Sequence, residues 1–323
     1  SNFLFGVILS KKGLPIQFVY YFNMGLFGLI LSVTSSYMCS TLVMLITVCK
    51  EVKLDVSRIS KERLVKMLKF SAPILPSSIS LWIVNLSDRL IVVSLLGSEA
   101  NGIYSVANKI PALYSYVYSI FNLSWTETAA RVSDSDSKPE MYYSELFAKL
   151  YDFLIGIMLV IIAASPLFYK IFINQQYYDS YFQSTFLYFG VFFNSIVSFY
   201  SGIYIAIKRT KQVGISSAMG AIINIVVNLL LINSIGLYAA SISTAISFFV
   251  IMLYRAYDIN KVLKLKYNYK QIVIGMSLLV ISLFLYFQRT ILTITFCFII
   301  AIIFNIRHNK YMMFWILNKI KRV

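Results

Sequence analysis

Nine stretches of this chain stay apolar over a length that crosses a bilayer, and this limits the fold more than any motif does. They lie at about 25–49, 70–96, 102–124, 150–172, 181–205, 212–233, 237–257, 270–288 and 290–306, against the roughly 20 residues a transmembrane helix needs. A bilayer interior offers no water to satisfy free backbone N–H and C=O groups, so such runs must be helices. The expected fold is all-α, a polytopic membrane helical bundle. Composition agrees: 59% of residues are hydrophobic and only 13% charged, where a soluble domain is about one quarter charged.

The second and third runs carry polar groups that a lipid-facing helix does not tolerate. Asn85, Asp88 and Arg89 interrupt 70–96, and Asn108 and Lys109 interrupt 102–124. A charge at the bilayer centre costs about 2.5–3.5 kcal/mol on insertion scales, so these side chains should face a bundle interior or a wet cavity. Ser78, Trp82, Asn85 and Arg89 share one helical stripe, and Ser105, Lys109, Ala112 and Tyr116 share another. The two runs are joined by a short turn and should be antiparallel neighbours. Arg89 and Lys109 then form a candidate cationic cavity wall suited to a diphosphate. Asp88 is the one carboxylate deep in any run. It reads either as the ion-pair partner of Arg89 or Lys109, or as a proton or sodium site. Trp125 and Glu127 close the third run and are candidates for a gate or for the membrane interface, where Trp is common. Asn224 and Asn228, spaced i, i+4, read as helix-packing amides with sugar contact as the alternative, and Asn194 with Ser198 as packing. The stripe Ser241, Thr244 and Ser247 also reads as packing.

The net charge of +16 invites a nucleic-acid partner, but its distribution argues for topology instead. With residues 50–69 placed inside and the runs alternating, 23 Lys and Arg fall inside. Lys11, Lys12 and Arg289 fall outside, and Arg89, Lys109 and Lys170 lie within runs. That bias follows the positive-inside rule. Arg255 is counted in it as an inside loop charge. Residues 50–69 read as a basic amphipathic linker at the interface, 125–149 as the longest polar loop, and the MMFWIL patch of the tail as lying at the membrane surface.

No Walker A motif is present, the single His308 lies in a polar tail, and no span carries paired carboxylates or a metal-ligand cluster. No cofactor, metal or nucleic-acid partner is expected, and the protein is not expected to be an enzyme. Cys39, Cys49 and Cys297 read as buried thiols. No charged segment precedes an apolar one at the start, so no signal peptide is expected.

The segment FSAPILPSSIS…SDRLIV…LGSEANGIYSVANKIP resembles the polysaccharide-transport branch of the multidrug/oligosaccharidyl-lipid/polysaccharide exporter superfamily. Phe70, Ser71, Pro73, Pro76, Ser77, Asp88, Arg89, Gly97, Gly102, Tyr104, Ala107, Lys109 and Pro111 carry the match. The resemblance implies a MATE-like two-lobe architecture with 12 or 14 spans, of which this chain would begin inside the fifth, so that the first lobe is mostly missing. On that reading 1–49 ends the first lobe, 50–69 links the lobes, 70–257 is the second six-helix lobe, and 258–323 adds two spans and a basic cytoplasmic tail. The implied function is a flippase of the bacterial cytoplasmic membrane that moves an undecaprenyl-diphosphate-linked oligosaccharide, an O-antigen or capsule unit, by alternating access. A polysaccharide polymerase and a chain-length regulator are the implied protein partners, besides the lipid bilayer and the missing lobe. Two other classes stay open: a cation-coupled drug exporter of the same superfamily, and a membrane polymerase or acyltransferase. The short outer loops speak against the enzymes, and the excess of basic over acidic intramembrane groups speaks against the drug exporter.

Overall fold

A computed structural model of the chain describes residues 25–51, 60–135 and 138–310. The expected helix end at 1–10, the middle of the basic linker and the MMFWIL patch lie outside the described residues. The chain divides into two units, 1–66 and 67–323.

In the first unit, α1 (Gly25–Glu51) is a 27-residue helix. Most of its hydroxyls are compatible with an apolar run because they return to their own backbone: Thr34 donates to Ile30 O at 2.9 Å, and Thr41 to Tyr37 O at 2.8 Å. Cys39 is exposed on this helix, not buried as expected, whereas Cys297 is buried. The linker is helical where described. In α2 (Lys61–Ser71), Lys66 pairs with Glu62 one turn earlier at 2.7 Å, on the polar side of an amphipathic helix. Its last residues belong to the second unit, and a 3-10 turn, Ala72–Ile74, follows.

The second unit continues with α3 (Leu75–Ala107), α4 (Lys109–Ser135), α5 (Pro139–Phe172), α6 (Ser180–Ala206), α7 (Thr210–Ile235), α8 (Tyr238–Leu263), α9 (Tyr269–Gln288) and α10 (Ile291–His308). The expected hairpin lies inside α3. Gly97 has φ 89 and ψ 173, a region open in practice only to glycine, and the chain reverses there. Tyr104 Oη reaches Asp88 Oδ2 at 3.2 Å, although 16 residues of straight helix would separate them by about 24 Å. At Asn108 the returning arm bends and continues into α4, with Ala112 N still bonded to Asn108 O at 3.0 Å.

The expected loop over 125–149 is largely absent. α4 runs on to Ser135 and α5 restarts at Pro139, whose missing N–H suits a first helical turn. Eight helices among the described residues are long and apolar enough to span a membrane, with Leu64–Ala107 counted as one stretch. The ninth expected run falls in α4, whose Asn, Ser, Tyr and Thr residues lower its hydropathy below that of its neighbours.

α6 and α8 sit at the centre of the unit. α3 packs on α7, α4 on α6, and α7 on α8, while α9 and α10 pack together on α5. α3 and α4, consecutive in sequence, touch each other little, so beyond the hairpin they lead to different partners. One end of the unit gathers the start of α5, the end of α8, the start of α9 and the end of α10. Gln271 Nε2 donates to Ala148 O at 2.8 Å, and Asn309 Nδ2 to Asp152 O at 3.1 Å. The opposite end is held by tyrosines. Tyr181 Oη donates to Tyr286 O at 2.9 Å and Tyr286 Oη to Tyr181 O at 3.0 Å, with the two rings stacked 4.1 Å apart. Tyr169 Oη donates to Ser180 O at 3.0 Å, and Arg289 lies over the Tyr178 ring.

Candidate functional site

Asp88 faces inward from α3 and is 2% exposed. Three neutral donors satisfy it. Thr244 Oγ1 donates to Oδ2 at 2.6 Å, Tyr104 Oη to the same oxygen at 3.2 Å, and Asn228 Nδ2 to Oδ1 at 2.9 Å. A second layer surrounds these. Ser87 Oγ donates to Asn224 Oδ1 at 3.2 Å, and Asn224 Nδ2 reaches Ser243 Oγ and Thr244 Oγ1, both at 3.3 Å. Asn224 and Asn228 are fully buried. Helix geometry explains the convergence: Asn224 and Asn228 lie one turn apart on α7, and α8 brings Ser243 and Thr244 to them. The small side chains Ser241, Ser243 and Ser247, all buried, let α8 come close to its neighbours.

The knot holds one formal charge and no cation. Among the described residues no Lys or Arg forms an ion pair with Asp88, so the pairing with Arg89 or Lys109 is not formed. Neutral donors offset only part of the cost of burying a carboxylate. Asn228 Oδ1 is buried beside it without a hydrogen-bond partner. Turning that amide over would aim an oxygen at Asp88, an arrangement that becomes favourable when a proton or a cation sits between them.

Arg89 points the other way. It is exposed on α3, as are Ser78 and Trp82 of its stripe, and Trp82 is 64% exposed. Lys109 and Tyr116 are exposed on α4, Tyr116 at 68%. Neither Arg89 nor Lys109 takes part in an ion pair among the described residues. Asn85 belongs to α3, and its side chain lies outside those described. The structure therefore separates the polar residues of this hairpin into a buried acidic knot and two exposed cations.

Trp125 is buried between α4 and α6, away from any lipid-facing belt. Its Nε1 donates to Phe199 O at 3.1 Å, and its ring stacks on Phe199 at 4.6 Å. Gly202 makes the room, because a Cβ there would overlap the indole ring. Glu127 is exposed and pairs with Arg131 one turn on.

Arg255, expected as a loop charge, is instead buried at 1% exposure. Its guanidinium donates to Val197 O at 2.8 Å, Ser216 Oγ at 2.9 Å, Ser217 Oγ at 2.9 Å and Val213 O at 3.2 Å, and also to Ser201 Oγ. It ties α6, α7 and α8 together without a carboxylate. The sequence signal for this was its place on the stripe Phe248, Ile251, Arg255 and Ile259, all buried on α8. Thr244 and Tyr104 also escaped sequence reading as partners of Asp88. The signal for Thr244 was its place on the stripe Ser241, Thr244 and Ser247, a run of small polar residues inside an apolar helix.

A family model described as "Polysaccharide biosynthesis protein" matches residues 16–182, just over half of the chain. No curated protein sequence matches. Among solved structures, the lipid II flippase MurJ in an inward closed conformation is similar with a TM-score of 0.60 at 18% identity, over 96% of this chain and 66% of that one. A point mutant of the Vibrio cholerae MATE transporter VcmN is similar with a TM-score of 0.60 at 10% identity, over 80% of this chain and 62% of that one. The same transporter in its bent form gives 0.51 at 16% identity, over 70% of this chain and 54% of that one. The chain thus spans less than two thirds of the length of each of these structures, and at such identities the likeness is one of fold.

Proposed function

The chain belongs to the polysaccharide biosynthesis protein family, and from that premise we propose that it is a flippase for a lipid-linked oligosaccharide, of the exporter superfamily. The proposed cargo is an undecaprenyl-diphosphate-linked O-antigen or capsule unit, carried across the bacterial cytoplasmic membrane by alternating access. The observation that carries this reading is the division of charge in α3 and α4. Asp88 is satisfied without a cation, which leaves Arg89 and Lys109 exposed and without an ion pair among the described residues. Unpaired cations within a membrane are costly, and a diphosphate that arrives between them offsets that cost. Arg supplies a planar fork for phosphate oxygens and Lys a compact charge. A first lobe would provide the facing wall. The enclosed face would then exclude lipid around the sugar while the undecaprenyl chain stays in the bilayer.

Asp88 is proposed as the coupling site. It lies at the hairpin where α3, α7 and α8 meet, and a proton or a monovalent cation there would offset its buried charge. The basic end of the unit is proposed to face the cytoplasm, where a polymerase and a chain-length regulator would be functional partners in the same membrane.

The test is complementation in a bacterial strain that lacks its own unit flippase but makes the matching glycan. The full-length protein is supplied as wild type, Arg89→Ala or Lys109→Ala, with membrane abundance measured for each. Wild type should restore surface polysaccharide, and each variant should reduce it at least ten-fold at equal abundance. Normal export by both variants would remove the two cations from the pathway. Failure of the wild type would overturn the flippase reading itself.

A further inference from the structure

A second polar site lies far along the fold from the Asp88 knot. α9 and α10 pack on α5 and α6, whereas the knot is built from α3, α7 and α8. Between α9 and α10, backed by Asp152 of α5, is a cleft of about 590 Å³. One end of its lining carries Asn268, Lys270, Gln271, Arg307 and His308, and the rest is apolar, made of Ile274, Leu278, Ile300, Ile303 and Phe304, with Ile274 and Ile303 exposed. The order follows from helix register. Lys270, Ile274 and Leu278 descend one face of α9 at i, i+4 and i+8, and Arg307, Ile303 and Ile300 descend α10 from its opposite end.

The charges at the mouth do not cancel. Asp152 is the single acid of the cleft, and His308 Nδ1 lies 3.2 Å from its Oδ2. The imidazole is held there by stacking on Phe304 at 4.6 Å. Lys270 and Arg307 are exposed and take part in no ion pair among the described residues. A pair of free cations at the rim, apolar walls below them, and a position at the basic end of a membrane bundle together describe an amphiphile with an anionic head. A soluble phosphate would use the rim and leave the walls without a function. A zwitterionic lipid would bring its own cation to the rim.

We propose that this cleft binds an anionic phospholipid that is not transported, with its phosphate at Lys270 and Arg307 and one acyl chain along Ile274, Leu278 and Ile303. Basic pockets between transmembrane helices hold anionic headgroups through the same combination of charge and depth. Each cation near a headgroup is worth about five-fold in affinity, and two about 25-fold.

The test is native mass spectrometry of the full-length protein in detergent, titrated with dioleoylphosphatidylglycerol, dioleoylphosphatidylcholine or glycerol 1-phosphate. Wild type should retain the first and neither of the others. Lys270→Gln with Arg307→Gln should weaken phosphatidylglycerol retention about 25-fold, and Lys211→Gln, at the same end outside the cleft, should leave it unchanged. Ile303→Trp fills the apolar depth from an exposed position without changing charge, and should also reduce retention. Equal retention of the two lipids, retention of glycerol phosphate, or wild-type behaviour of the double variant would overturn the proposal. These readouts do not depend on transport, so they stand or fall apart from the flippase reading.

Discussion

Two ionisable side chains among the described residues of this unit, Asp88 and Arg255, are buried, and they are treated in opposite ways. Arg255 has an abundance of acceptors: two backbone carbonyls and three serine hydroxyls from two neighbouring helices. Removing it takes the shared donor away from α6 and α7, whose carbonyls at Val197 and Val213 keep only their bonds within each helix. Arg255→Ala should therefore lower stability by about 3 kcal/mol or more, since hydrogen bonds to a charged group contribute about 1.5–3 kcal/mol each and the truncation leaves a cavity between three helices. Arg255→Met keeps most of the volume and removes the charge, and should cost less than Arg255→Ala. Thermal unfolding in detergent ranks the two, and an equal midpoint for all three proteins would show that the guanidinium is not holding the helices. Asp88, by contrast, has three neutral donors and a neighbouring amide oxygen without a partner. Asp88→Asn keeps the shape of the knot and removes its titratable charge. Membrane abundance should stay within about two-fold of wild type while glycan export is lost. A collapse in abundance would instead mark the carboxylate as a structural group.

Among the elements, the reversal at Gly97 governs the placement of the rest. Its φ of 89 with ψ of 173 places any side chain in strain, although nothing lies within 4 Å of a Cβ there. Gly97→Ala should cost about 1–3 kcal/mol, read as a lowered unfolding midpoint, and the empty space around it excludes a steric clash as the cause. The hairpin and the identity of its polar residues were legible in the sequence, because a turn between two apolar runs and a lone carboxylate within one are both local features. The partners that α7 and α8 bring to Asp88 were not legible. Asn228 and Thr244 lie 140 and 156 residues further along the chain, and spacing within one helix does not say which helix it faces. Arg255 was misplaced for a related reason. A cation near the end of an apolar run resembles a loop charge until the buried stripe through Ile251 and Ile259 is seen. The helical extensions of α4 and α5 were hidden by their polarity, since a helix that projects past the apolar layer has the composition of a loop.

At the scale of the whole molecule, the charge distribution makes a topological prediction. Lys266 precedes α9 at the basic end, and Gln176 lies between α5 and α6 at the other. In a cysteine-free background, Lys266→Cys should react with an impermeant maleimide only after cells are opened, and Gln176→Cys should react in intact cells. The reverse pattern would invert the assignment and place the phospholipid cleft in the opposite leaflet.

The tyrosine belt bears on how a chain of this kind could lose or gain helices in evolution. Tyr181 and Tyr286 bond each other's backbone, Ser184 bonds the Tyr286 hydroxyl at 2.9 Å, and Tyr151 donates to Ile272 O at 2.8 Å. Delete α9 and α10 from this unit and the hydroxyls of Tyr151 on α5 and Tyr181 on α6 would lose the carbonyls they donate to, and a polar group left without a partner in hydrocarbon costs several kcal/mol. A descendant could discard α9 and α10 only after Tyr151 and Tyr181 had given way to Phe or Leu. The aromatic alphabet at those two positions is therefore a record, readable in any related sequence, of whether that pair of helices still covers them.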